Sequence, residues 1–245
     1  MPFTFSHPAI ILPLIALKRK WRSSTGLIMG SIVPDFEYFI RMDGKSIYSH
    51  TIDGIFWFDF PLALLLCFIF HLIVRNPFFD NLPWFLNKRL VVYKEFQWPD
   101  YFLKNLIVVS ISILIGICSH LFWDAFTHDN GFFVDRLSIL TKSVPIGRQE
   151  YPVYKIFKLI CSVVGGIVVM AVILRIKKQP RIKNLSNPAY WMVVSATSFT
   201  ILVIRVYTGF RFYQQFNIVM TAIAGCLISL VLASLIFRKS AETYE

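Results

Sequence analysis

Leu103–Asp129 reads LKNLIVVSISILIGICSHLFWDAFTHD. Its apolar run suits one crossing of a ~30 Å hydrocarbon layer, which takes ~20 residues. The run closes on His120, Asp124 and His128, spaced four apart. At ~100° per residue these three side chains share a stripe about 80° wide on one helix. Ionisable groups are costly at membrane depth, and spans that keep them turn them toward a cavity or a ligand. The spacing predicts a transmembrane helix with a metal-binding face at one end.

The rest of the chain fits that setting. Of 245 residues, 56% are hydrophobic and 16% charged, and the mean hydropathy is +0.60. Such a composition excludes an ordinary soluble domain and implies an all-α, polytopic transmembrane bundle. Five apolar runs are expected to cross: Gly54–Val74, Leu103–Phe126, Phe157–Ile176, Ala189–Val206 and Phe216–Phe237. Two shorter runs, His7–Leu17 and Thr25–Ile40, precede them as a short helical pair, for about seven helices in all. The chain reads as one integral membrane domain over residues 1–245. Residues 1–130 carry the metal site, and residues 131–245 supply a loop and the last three spans.

The basic cluster Lys18-Arg19-Lys20 follows the first apolar run, the reverse of a secretory signal, so no cleavable leader is expected. Cys67, Cys118, Cys161 and Cys226 lie in apolar runs without CxxC spacing. They read as small packing residues, not as disulfide or zinc-knuckle cysteines. A net charge of +11 points to loops facing anionic lipid, and no nucleic-acid reader motif accompanies it.

Upstream of the central helix, Ser6 is a candidate helix N-cap and Pro8 suits a first turn, which puts His7 at a helix mouth. Pro34 disturbs the second short run and can turn Asp35 off the regular face. His50 opens the first long span. His71, among Phe70 and Leu72, reads as a packed or interfacial histidine. Asp59 could support the site or pair with Arg205. The Asn76–Phe102 and Asp129–Tyr154 stretches read as connections, the first interleaving aromatic and basic residues as headgroup layers favour.

Alternating crossings put His7, Asp35, His50, His120, Asp124 and His128 on one side of the membrane and most of the 25 basic residues on the other. The positive-inside rule then makes the site extracytoplasmic and the C-terminus cytoplasmic. That count needs the Lys18–Arg22 turn to lie opposite the site. Imidazole and carboxylate together suit zinc, with manganese and iron as rivals. Asp35 and Asp124 are the carboxylates able to accept a proton from water. Arg148 or Lys155 could neutralise a phosphate. The alternative is a non-enzymatic protein that binds or transports a divalent cation, or a scaffold.

MPFTFSHPA, GSIVPDFEYF, SHT and HLFWDAFTH resemble the domain-of-unknown-function 4184 family of bacterial integral membrane proteins. More distantly, the order His, Pro-Asp, His, HxxxD, His is similar to membrane-bound metal-dependent hydrolases related to a LexA-binding inner-membrane group. It is also similar to the zinc-dependent phospholipase C and single-strand nuclease superfamily. The second likeness implies one zinc on Asp35, His50, His120 and Asp124, and a second between Asp124 and His7. His128 matches the histidine that begins a third site, but no HxxxE motif follows it, so one or two ions are expected. The likeness implies hydrolysis of a phosphoester on a lipid or isoprenoid carrier in the bacterial cytoplasmic membrane, with membrane lipid as partner.

Overall fold

The computed structural model describes residues 3–179, 186–208 and 215–238. Arg181, Lys183, Arg211 and Lys239, four of the chain's 25 basic residues, lie outside them. In chain order the helices are α1 (Pro8–Ile15), α2 (Ser24–Ile32), α3 (Phe36–Arg41) and the long α4 (Ile52–Asn81). There follow α5 (Trp84–Leu90), α6 (Trp98–Lys104), α7 (Leu106–Asp124) and α8 (Ser138–Thr141). A hairpin of β1 (Ser143–Ile146) and β2 (Gln149–Pro152) then leads into α9 (Val153–Arg175), α10 (Pro188–Tyr207) and α11 (Gln215–Ile236).

Five of these helices, α4, α7, α9, α10 and α11, are long and apolar enough to cross a membrane. The chain is a multi-pass, all-α membrane protein. Large apolar side chains on these helices point outward, among them Ile107, Ile111 and Ile115 on α7 and Leu159, Val163 and Ile167 on α9. That is the surface expected of helices whose solvent is lipid.

Two compact units share the chain. The first draws on Met1–Asp35, Tyr48–Leu64 and Asn105–Val172. Its central contact is α2 laid along α7. Gly30 and Gly116 make that contact close. A Cβ on Gly30 would come within 2.2 Å of the Ile113 carbonyl oxygen, and one on Gly116 within 2.5 Å of the Leu27 carbonyl oxygen. Small residues let membrane helices meet backbone to backbone in this way. The two helices run in the same direction, since the Ser23 amide donates to Ser112 Oγ and Ser31 O accepts from His120 farther on. The N-terminal turn is tied down separately. Phe3 N donates to Ser162 Oγ and Ser6 Oγ donates to Ser162 O. Ser6 therefore does not cap α1; His7 occupies the cap position, with Pro8 in the first turn.

At 8 and 9 residues, α1 and α2 are each only ~12–14 Å long at 1.5 Å per residue, too short to cross alone. The Lys18–Arg22 turn nevertheless lies toward the N-terminal end of α7, because Ser23 abuts Ser112. Long basic side chains can reach an interface from such a position.

The second unit draws on Phe36–Ile47, Leu65–Lys104 and Ile173–Glu245. Tyr190 and Val194 of α10 pack with Ala233 of α11, and Tyr190 and Ser234 share a hydroxyl hydrogen bond. Asn81 at the end of α4 accepts from the Asn187 amide and the Trp191 indole. The expected aromatic-basic connection is largely helical. Arg75 explains part of this: buried on α4, it donates to the Lys94 and Phe96 carbonyls and holds the returning chain against the helix. His71 stacks on Trp98 at 4.8 Å, a packing role as expected. The β1–β2 hairpin was not anticipated; Gly147, at φ +65°, makes its turn. Cys67 and Cys161 are buried as packing residues, whereas Cys118 and Cys226 face outward; all four are free thiols.

Candidate metal centre

Three backbone interruptions and one regular helix bring the ionisable groups together. The 3-10 turn Val33–Asp35, forced where Pro34 cannot donate, breaks away from α2 and buries Asp35 completely. His50, just before α4, sits at φ +63°, a left-handed conformation that non-glycine residues adopt only where surrounding structure insists on it. His7 is buried at the cap of α1. α7 is unbroken, and it carries His120 and Asp124 inward on successive turns.

The donor atoms converge. His120 Nε2 lies 3.4 Å from Asp35 Oδ1 and 3.3 Å from Asp124 Oδ2. His50 Nε2 lies 3.4 Å from Asp124 Oδ2 and 3.9 Å from Asp35 Oδ1. One ligand atom from each of Asp35, His50, His120 and Asp124 falls within 4.8 Å of every other. Four ligands held ~2.0–2.1 Å from a tetrahedral zinc are about 3.4 Å apart, and three of the histidine-to-carboxylate distances here, 3.3–3.4 Å, are close to that edge.

Two backbone carbonyls take the Nδ1 protons of His120 and His7. His120 Nδ1 donates to the Ser31 carbonyl at 2.8 Å, and His7 Nδ1 donates to the Thr4 carbonyl at 3.3 Å. His50 Nδ1 shares a 2.9 Å hydrogen bond with Ser49 Oγ. A histidine whose Nδ1 proton is committed outward presents an Nε2 lone pair inward, the usual arrangement for a metal ligand. Yet what that lone pair of His120 meets is carboxylate oxygen. Both oxygens of Asp35, Nε2 of His120 and Oδ2 of Asp124 are buried without a hydrogen bond. Buried polar atoms almost always find partners, and adjacent buried carboxylates repel unless a positive charge lies between them. A divalent cation would satisfy all of these atoms at once. Its charge would also offset the cost of burying Asp35 and Asp124 together.

His7 and His128 stand beside this group of four. His7 Nε2 is 3.2 Å from the other carboxylate oxygen of Asp124, Oδ1, and its ring stacks on His120 at 3.9 Å. His128 lies at the rim, partly exposed. Its Nδ1 donates to the Asp124 carbonyl at 3.2 Å and is 3.5 Å from Asp124 Oδ2. Removal from water pushes its imidazole down to about 4, against the pull of the Asp124 carboxylate, so it is neutral near pH 7. Asp59 is buried within a π-helical turn of α4 and lies outside the group of four.

Sequence reasoning did not find Ser31, Thr4 or Ser49, whose oxygens orient the histidines. Two act through backbone carbonyls, to which the side-chain identity gives no clue. Arg148 does not line the cavity beside His128, whereas Lys155 does.

No curated protein and no solved structure matches the chain. A family model described as Domain of unknown function (DUF4184) matches residues 1–235. Spanning both the helices that build the candidate metal centre and those that follow, that match makes the chain a member of the DUF4184 family.

Proposed function

We propose that the protein is a membrane-embedded, metal-dependent hydrolase acting on a phosphoester of a lipid or isoprenoid-linked substrate. The observation that carries this reading is the buried convergence of Asp35, His50, His120 and Asp124, in which both Asp35 oxygens, His120 Nε2 and Asp124 Oδ2 lack hydrogen bonds. Nitrogen and carboxylate donors in that number suit zinc, with manganese and iron as rivals. A bound divalent ion would supply Lewis acidity and bring the pKa of a water toward ~7.

The chain's own residues divide the remaining work. Asp35, His50, His120 and Asp124 would hold the ion. His7 Nε2 and the second oxygen of Asp124, 3.2 Å apart, are the pair that would hold a second ion. Asp35 or Asp124 accepts the proton released by water. The cluster sits at the C-terminal end of α7, a membrane-length helix, which favours a substrate presented at headgroup depth. Crossing parity, the basic residues Arg75 near the end of α4 and Lys88, Arg89, Lys94 and Lys104 beyond it, and the positive-inside rule support an extracytoplasmic site in a bacterial cytoplasmic membrane.

The test is elemental analysis and turnover on detergent-purified full-length protein beside Asp124→Ala. Stoichiometric metal with metal-dependent product release from phosphatidic acid or a polyprenyl phosphate supports the reading. Metal without turnover of either substrate leaves a non-catalytic cation-binding protein and overturns the hydrolase. For orientation, a reporter inserted in the Asp129–Tyr154 loop should signal outside the cytoplasm; a cytoplasmic signal there reverses the assignment.

A further inference from the structure

Beside the metal centre, in the same unit, lies a cavity of about 350 Å³ lined by Thr127, His128, Asp129, Asn130, Tyr154, Lys155 and Lys158. His128 connects the two, since it lines the cavity and its Nδ1 lies 3.5 Å from Asp124 Oδ2. Lys155 and Lys158 are three residues apart on α9 and so project from one face of its first two turns. Asp129 is the cavity's carboxylate, and it already accepts the Tyr154 hydroxyl. Among the described residues, neither lysine forms an ion pair with a carboxylate; the Lys155 ammonium sits 5.9 Å from the Tyr154 ring. Two lysines thus line a pocket that holds a single carboxylate, one oxygen of which takes the Tyr154 hydroxyl. Farther along α9, Leu159, Ile160, Val163 and Val164 are exposed and apolar. Polar groups at the mouth and an apolar wall beyond are what a phosphorylated amphiphile would meet.

We infer that this cavity is an anion subsite in which Lys155 and Lys158 hold a phosphate group next to the metal centre. The inference deepens the proposed hydrolase by naming the part of the substrate that docks there, and in that respect rests on it. The volume suits a headgroup and excludes acyl chains, which would lie along the apolar face of α9. Lysine ammoniums serve as point charges for phosphate. A lipid headgroup and free phosphate share this chemistry.

The experiment titrates inorganic phosphate and dihexanoyl phosphatidic acid into full-length protein in neutral detergent by calorimetry, with dihexanoylglycerol as the uncharged control. Wild type, K155Q/K158Q, K155R/K158R and Arg148→Gln are compared, and metal content is measured on each. The glutamine pair should weaken binding of both phosphates by about tenfold or more, as expected for losing charged hydrogen-bond donors. The arginine pair should restore it, and Arg148→Gln should leave it unchanged. Wild-type affinity should also fall as salt rises, a readout that needs no variant. Equal affinity for the two ligands would assign recognition to the phosphate alone; tighter binding of phosphatidic acid would assign the headgroup of a lipid. Either supports the subsite. A glutamine pair that binds both ligands like wild type, or wild type that binds neither, overturns it. Wild type that lacks metal yet binds phosphate through these lysines would sink the metal centre and keep the subsite.

Discussion

His120 Nε2 lies 3.3 Å from Asp124 Oδ2, one turn along the same helix, and neither atom has a hydrogen bond. An i, i+4 pair on a helix ordinarily approaches by free rotation of exposed side chains. Here both residues are buried, and the Nδ1 side of His120 is held by the Ser31 carbonyl. The histidine is therefore held with Nε2 toward an acid, a costly arrangement that a cation would relieve.

Removing Asp124 should empty the centre. Its Oδ2 lies within 3.5 Å of His50, His120 and His128. Asp124→Ala should lower metal affinity by about 100-fold or more, since even supporting residues cost 10–100-fold, and the purified variant should carry less metal. Elemental analysis checks this, and wild-type occupancy in the variant would remove Asp124 from the ligand set.

Metal should stabilise the wild type. A ligand that binds only the folded state contributes about 2.7 kcal/mol at 100 times its Kd. Chelation should therefore lower the Tm in detergent, and zinc should restore it. In Asp124→Ala the two curves should coincide. A wild type indifferent to chelator would argue against a resident ion.

Much of this was visible in the amino-acid order. The apolar runs announced the five long helices because lipid permits few other spanning structures. The four-residue spacing of His120 and Asp124 announced that they would share one buried face because helical geometry is regular; His128, one turn on, lies past the end of α7 at the rim. Two things were not legible. The length of α4 beyond Val74 depends on Arg75 finding the Lys94 and Phe96 carbonyls, a contact across a distant stretch of chain. The setting of His50 depends on a backbone conformation that residue type alone does not disclose.

His50 exposes a conflict between stability and binding. At φ +63° an L-residue pays roughly 1–2 kcal/mol that glycine does not. His50→Gly should relax that strain while deleting a ligand. The metal-free variant should unfold at a temperature no lower than metal-free wild type, yet hold less metal. Differential scanning fluorimetry with and without chelator, together with metal analysis, tests both halves. A large loss of metal-free stability would show that the His50 ring, not its strain, dominates locally.

Gly30 tests whether helix approach sets ligand orientation. A methyl group there meets the Ile113 carbonyl oxygen at 2.2 Å, so α2 must move off α7. Overpacking of this kind costs about 1–3 kcal/mol. It should also pull the Ser31 carbonyl from His120 Nδ1, freeing the ring to change tautomer. Gly30→Ala should thus lose both Tm and metal affinity without touching a ligand. Gly166→Ala is the matched control, because its Cβ would meet only Ser6 Oγ at 3.7 Å; it should change neither. If Gly30→Ala loses stability but binds metal like wild type, then the carbonyl of Ser31 does not govern His120, and the four ligands assemble independently of how closely α2 and α7 approach.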